Sequence, residues 1–298
     1  MFIKNYFYKT ADLQIDKNSR IISEVKEKKT EYMNEVFYNQ YKDEIAKFKT
    51  TGKTALLYCA GATEHHSTTR DYLKKQKGLM PIKSQNGYIA SKVAKRVGNI
   101  SYLSINANTC ASSMYAIYEA YRLLEHESFD DVIIYGEEWV EDVELLLFKQ
   151  FNIDIVCSDG FFILQLGKYS DENSKVQNVA IFNPTWIWSD DKSAFEVTKD
   201  GYIKAMLPFK DSKIDLVKMH GTGTAQNSQA EFEAIKELFG DVETLEYKSK
   251  IGHSQGCSTG VELCMLIDEL YKKDKYSKKI LVNASGLGNF YGSFLLAV

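Results

Sequence analysis

An α/β fold built from two successive halves is what this 298-residue sequence predicts. Three observations carry that expectation. Apolar runs of strand length alternate with amphipathic runs of helix length along the chain. Residues 101–138 read as a strand–helix–strand unit, which favours parallel pairing and a right-handed crossover. After the polar stretch YSDENSK (169–175), strand and helix patterns start again. The halves are therefore drawn at 1–168 and 169–298, joined as one compact domain, although no repeat is visible residue by residue.

The elements follow in order. Residues 2–8 read as a strand. From Ile21 to Phe48, apolar residues recur at spacings near three, four and seven, which predicts an amphipathic helix. TALLYCAG (54–61) is a short buried strand ending in Gly, and NGYIASKVAKRVG (86–98) is a helix stopped by Gly98. SYLSINANT (101–109) alternates as a strand, ASSMYAIYEAYRLLEH (111–126) is a helix, and DDVIIYGEE (130–138) and GFFILQLGK (160–168) are strands. In the second half, VAIFNPTWIW (179–188) and DLVKMHG (215–221) read as strands, and SQAEFEAIKELFG (228–240) as a helix closed by Gly240. STGVELCMLIDELYKK (258–273) is a helix, followed by the strands KKILVNASG (278–286) and GSFLLAV (292–298).

The composition bounds the function classes. Apolar residues make up 44% of the chain, enough for a well-buried core. The 37 basic and 40 acidic residues leave a formal charge of −3 with no separate basic block, which argues against nucleic acid as a partner. No apolar run reaches the length of a membrane span. The N-terminus lacks an apolar signal core with a small-residue cleavage site, so a cytoplasmic location is expected. Five cysteines without a CxxC pair argue against both a disulfide framework and a metal site.

One of those cysteines stands apart. Cys110 falls where a buried strand turns into a helix, so the helix N-terminus favours a thiolate and its N–H groups can support an oxyanion. Ala111, Ser112 and Ser113 leave room for a substrate. A lone cysteine in such a place is more often a buried core thiol. Two histidine contexts change that weighting. His220 lies in KMHGTGT, where Gly221 and Gly223 permit tight turns and the hydroxyls of Thr222 and Thr224 can bond an amide-bearing ligand. His253 lies in EYKSKIGHSQG, just before a Gly-containing turn into a helix. Of the other histidines, His65 and His66 read as a loop and His126 as a helix-end residue.

On these residues the chain resembles the β-ketoacyl synthases of fatty-acid and polyketide synthesis. NTCASSMYAIYEAYRLL is similar to their nucleophile segment, VKMHGTGTAQNSQAEFEAI to their first histidine segment, and YKSKIGHSQGCSTGVELCMLI to their lysine–histidine segment. CSDGFF (157–162) is similar to their Asp-Gly-Phe strand start. The segments occur in the family's order from about residue 54 onward. The resemblance implies a thiolase-like fold: a duplicated five-layer αβαβα sandwich, here reduced in size. The first half would carry the nucleophile and the second the two histidines.

It further implies roles. Cys110 would carry an acyl chain as a thioester, while His220 and His253 would stabilise the enolate formed when a malonyl-type donor loses CO₂. Lys248, five residues before His253, and Glu231, eleven after His220, match a lysine and glutamate expected to form a buried ion pair. Leu287 stands where the family has a gating phenylalanine whose backbone N–H helps form the oxyanion hole. Substrates would ride on phosphopantetheine of acyl carrier protein or coenzyme A, with no cofactor tightly bound. The partner would be acyl carrier protein, and the assembly a homodimer, or a heterodimer with a related synthase subunit. The chain departs from the family in being shorter between Cys110 and His220, and in carrying Asn227 and Ser228 for a Gly-Asp pair. Its C-terminal loop is GLGNFYG (286–292). Two other readings stay open: an acyltransferase or thioester hydrolase on the same scaffold, and a non-catalytic partner subunit of a larger synthase.

Overall fold

The computed structural model describes residues 1–11, 33–61, 85–140, 148–150, 155–170, 176–189, 196–272 and 278–298. His65, His66 and residues 21–32 of the first expected helix lie outside them. The first half runs β1 (Phe2–Thr10), α1 (Met33–Ile45), β2 (Thr54–Cys59), α2 (Asn86–Val97), β3 (Ile100–Asn106), α3 (Ser112–His126), β4 (Asp131–Glu138), β5 (Gly160–Gly167). The second runs β6 (Ala180–Trp188), α4 (Lys199–Met206), β7 (Leu216–Lys218), α5 (Ala225–Phe239), β8 (Glu243–Leu245), α6 (Lys248–Ile251), α7 (Ser258–Lys272), β9 (Lys279–Gly286), β10 (Phe290–Ala297).

The strands form one hydrogen-bonded series in the order β3-β2-β4-β5-β1-β6-β10-β9-β7-β8. That order is palindromic. In each half a parallel trio, β3-β2-β4 or β8-β7-β9, is followed by two strands in antiparallel pairing. The seam is slight, with Phe2 of β1 pairing with Ala180 of β6.

Strand alternation sorts the side chains into layers. On β2, Ala55, Leu57 and Cys59 enter the central core, while Leu56 and Tyr58, with Ala60 just past the strand, enter a second core against α1 and α2. On β9, Ile280, Val282 and Ala284 face the central core, and Leu281 joins Tyr202 of α4 and Ile235 of α5 in a third. Helices α3 and α7 fill the centre between the two sheets. The stack is therefore helix, sheet, helix, sheet, helix, the five layers that the resemblance implied.

The central helices differ from the outer ones for a physical reason. α7 buries ten of its fifteen residues, so it has no broad solvent face. α2 buries one stripe, from Ile89 to Val97, and ends at Gly98 with φ of +80°, a conformation glycine adopts without strain. Strand β7 is shorter than the expected 215–221, because the chain turns away from the sheet before His220.

Candidate active site

Both buried helices begin at one place. A 3₁₀ turn, Thr109–Ala111, leads into α3, and another, Gln255–Cys257, leads into α7. Thr109 has φ of +51°, a strained value for a β-branched residue, and it holds the turn that presents Cys110. Ser112 Oγ accepts the Asn108 N–H at 2.8 Å and lies 2.8 Å from the Ala60 carbonyl, which ties the turn to the end of β2. Thr109 Oγ1 donates to the Leu287 carbonyl at 2.9 Å. The nucleophile turn and the C-terminal loop are thus pinned together.

A cavity of about 730 Å³ opens over this junction. Cys110, His220, His253, Thr222, Thr224 and Leu287 all line it, so the structure brings six sequence-selected residues to one space. The imidazoles of His220 and His253 stand 5.6 Å apart, centroid to centroid, with rings nearly perpendicular. Both are almost wholly buried. His253 Nδ1 lies 2.8 Å from Ser258 Oγ, while its Nε2 has no protein hydrogen-bond partner. When Ser258 donates to Nδ1, the tautomer carries its proton on Nε2. Gly252, at φ of +77° and against Val156 and Ser158, allows the tight turn into His253.

Burial pushes both histidines well below the usual imidazole range, and the nearby Lys248 charge pushes the same way. They are therefore neutral at pH 7, each with one N–H. The thiol of Cys110 donates to Gln255 Oε1 at 3.5 Å. Gln255 Nε2 in turn lies 3.6 Å from Cys157 Sγ. Among the described residues no group of three or more His, Cys, Asp or Glu could hold a metal ion. No described helix is long and apolar enough to cross a membrane.

Lys248 and Glu231 both reach His220, but not as the expected ion pair. Glu231 accepts the backbone N–H of His220 at 2.7 Å and of Gly221 at 3.0 Å. Lys248 Nζ donates to the His220 carbonyl and pairs with Glu262 at 2.7 Å. The expectation fails because α7 supplies a carboxylate of its own, leaving Glu231 free to satisfy two N–H groups at the HGTGT turn. Burial raises the Glu231 carboxyl, against the pull of these hydrogen bonds. Burial likewise lowers Lys248 to about 8, opposed by the Glu231 charge.

Sequence reasoning missed Gln255 and Ser285, which line the cavity, and the Lys218–Glu262 pair behind it. Asn227, noted only as a departure, lines the cavity and bonds with Tyr202, whose hydroxyl donates to Asn227 Oδ1 at 2.8 Å. The signal for Glu262 was its place in an apolar helix with no wet face.

Comparison with known proteins bears on this geometry. The family model for the β-ketoacyl synthase C-terminal domain matches residues 190–274. A probable polyketide synthase 28 of Dictyostelium discoideum is 26% identical over 235 residues, 64% of this chain. The chain spans only 9% of that relative's length. A β-ketoacyl synthase from Burkholderia phymatum STM815 superposes with a TM-score of 0.73 at 14% identity, covering 99% of this chain and 92% of that one. The ketosynthase ApeO, solved in complex with its chain length factor ApeC from Xenorhabdus doucetiae, gives 0.70 at 17%, covering 89% and 80%. A ketosynthase solved with a type II polyketide acyl-carrier protein, AntDE:AntF, gives 0.69 at 16%, covering 98% and 92%. At such identities the structural likenesses speak for the fold, which this chain shares with the ketosynthases; in sequence, residues 190–274 are similar to the β-ketoacyl synthase C-terminal domain, and the chain is similar to a polyketide synthase.

Proposed function

We propose that the protein is a condensing enzyme of the 3-oxoacyl synthase type, joining a Cys110-bound acyl group to a malonyl-type thioester with loss of CO₂. The observation that supports this is the convergence of Cys110, His220 and His253 on one cavity. The Cys110 thiolate attacks the carbonyl of an acyl thioester. A new C–S bond forms, and the carrier thiolate leaves with its electron pair. The malonyl thioester then loses CO₂, and its C–C bonding pair becomes an enolate. The neutral imidazoles of His220 and His253 donate N–H bonds to the enolate oxygen, a task that needs no buried cation. The enolate carbon attacks the acyl-Cys110 carbonyl, and the tetrahedral oxyanion is met by the backbone N–H groups of Cys110 and Leu287. Its collapse expels the Cys110 thiolate and yields a β-ketoacyl thioester.

Lys248 and Glu231 act through the His220 backbone. Thr222 and Thr224 bond the amides of a phosphopantetheine arm, carried by acyl carrier protein or coenzyme A. A second reading is a partner subunit of a related synthase. It is favoured by the exposed strand β3 and by the ketosynthase–chain length factor complexes among the similar folds.

The test pairs two readouts on wild type, Cys110→Ala and His253→Ala, supplied with acyl and malonyl carrier-protein thioesters. Intact-protein mass reads acylation; labelled CO₂ and product mass read condensation. Wild type should acylate, release CO₂ and form a β-keto product. His253→Ala should acylate yet lose CO₂ release by about 100-fold or more, the scale of one oxyanion donor. Cys110→Ala should show residual CO₂ release without acyl-enzyme. A wild type that acylates but releases no CO₂ makes the protein an acyltransferase or hydrolase instead. One that does neither alone, but supports a second subunit, is the partner.

A further inference from the structure

One thiol beside the cavity has no part in the condensing chemistry proposed above. Cys157 lies in the segment before β5, and His253 fixes its backbone from both sides. The His253 N–H donates to the Val156 carbonyl at 2.7 Å, and the Ser158 N–H donates to the His253 carbonyl at 3.1 Å. The Cys157 sulfur lies 3.6 Å from Gln255 Nε2. The other end of the same amide, Oε1, accepts the Cys110 thiol at 3.5 Å. A single side-chain amide therefore spans the nucleophile and a second thiol, and all three residues are buried.

Gln255 is held in this place under strain. Its φ is +43°, a left-handed value that a residue with a long side chain rarely takes. The backbone around it fixes that value. The Gly256 N–H donates to Glu138 at 3.0 Å, and a Cβ on Gly256 would come within 2.2 Å of the Gly61 nitrogen. The turn is thus clamped against the end of β2 without help from the Gln255 side chain. That side chain instead reaches the sulfur on which the chemistry runs.

An amide has one donor end and one acceptor end, whereas a thiol is both a weak donor and a weak acceptor. While Cys110 keeps its proton, Oε1 is the matching end. Once that proton is lost to solvent, the carbonyl oxygen faces a negative sulfur and the contact turns repulsive. Half a rotation of the amide corrects this. Nε2 then donates to the thiolate, and Oε1 comes to face Cys157. Cys157 matches either end, accepting the N–H in one arrangement and donating its S–H in the other. We propose that Gln255 is a further catalytic residue, an amide rotor that donates to the Cys110 thiolate, and that Cys157 is the positioning residue that lets it turn. The proposal rests on the reading of Cys110 as nucleophile, and not on decarboxylation.

The experiment reads the thiolate as the rate at which iodoacetamide labels Cys110 at neutral pH, followed by intact mass and peptide mapping. Acylation from an acyl carrier-protein thioester and melting temperature are measured beside it. Gln255→Met keeps the length and removes the donor. Labelling and acylation should each fall about 10- to 100-fold, the scale of a hydrogen bond to a charged group. Gln255→Glu is closest to glutamine in shape but offers the thiolate only acceptors, so it should be slower still; a side chain that merely packs gives the opposite order. Cys157→Val should slow labelling about three- to tenfold, the scale of a neutral hydrogen bond. Cys157→Ser, which again both accepts and donates, should restore it to within about twofold of wild type. Wild-type labelling in a folded Gln255→Met variant overturns the proposal. So does Gln255→Glu labelling faster than Gln255→Met, or Cys157→Ser labelling no faster than Cys157→Val. Where Gln255→Met does not fold, the Cys157 pair decides alone. A wild type whose Cys110 takes neither label nor acyl group overturns the nucleophile reading and this proposal together. One that takes both but releases no CO₂ overturns the condensing reading only, and the same variants still decide the proposal.

Discussion

Between pH 8 and 10.5 the folded protein and its unfolded chain hold the Lys248 proton differently. Burial lowers the folded group to about 8 from an ordinary 10.5. In that window the unfolded chain keeps a proton that the folded protein has released, so the Lys248 contribution to stability rises with pH. The chemistry should move the other way, since a neutral amine binds the His220 carbonyl less firmly. We predict that CO₂ release falls above about pH 8. Over the same range the stability of wild type relative to Lys248→Met should rise by roughly 3 kcal/mol. Unfolding by urea at several pH values, beside rate measurements, checks both signs; a flat rate or an unchanged stability gap sinks the assignment. At this scale Cys110, His220 and His253 were legible because each is a reactive residue at a glycine- or small-residue turn. Lys218 was not, since one lysine in DLVKMHG looks like a residue reaching for solvent. Only the fold shows that its side chain is buried and paired with Glu262.

The element that ties the two halves of the site is the close passage of the β9 end over the nucleophile turn. A Cβ placed on Gly286 would lie 2.7 Å from Thr109 Oγ1 and 3.0 Å from the Ala111 nitrogen. Gly286→Ala must therefore push the turn away or break the Thr109–Leu287 bond. We expect about 1–3 kcal/mol of lost stability, the usual penalty of overpacking. Acylation of Cys110 should slow at least tenfold, as for a reacting group moved by a fraction of an ångström. Time-resolved intact mass reads the rate, and wild-type acylation in a folded Gly286→Ala variant would refute the coupling. Long periodic elements such as α3 and α7 were readable because many residues repeat the same demand. The short ones were not. α4 carries a glycine and runs into Pro208, although Thr198 caps it by accepting the Gly201 N–H at 3.1 Å, a signal present in the sequence. β8 has three residues, too few for alternation to register.

At the scale of the whole molecule, the sheet leaves β3 on its rim, where Tyr102, Leu103 and Ile105 are 39–44% exposed. An exposed apolar edge is a template for pairing with another chain. We propose a homodimer across this strand, with a related synthase subunit as the alternative partner. Light scattering should give about twice the 34.0 kDa chain mass, and Ile105→Lys should return it to a monomer. A monomeric wild type at micromolar concentration would reject the homodimer. We further infer from the palindromic strand order that 1–168 and 169–298 are two copies of one unit, a duplication hidden at the residue level because packing preserves layers rather than letters. That order also governs how the chain becomes a fold. β1 does not sit at a margin: Phe2 pairs with Gly167 and Thr10 with Gly160, and its other side meets β6. During synthesis β1 must therefore wait for its β5 partner until the ribosome has delivered it. Such long-range closure is slow, and it keeps an apolar segment exposed while it lasts. A strand made well before its partner is thus late to find its place.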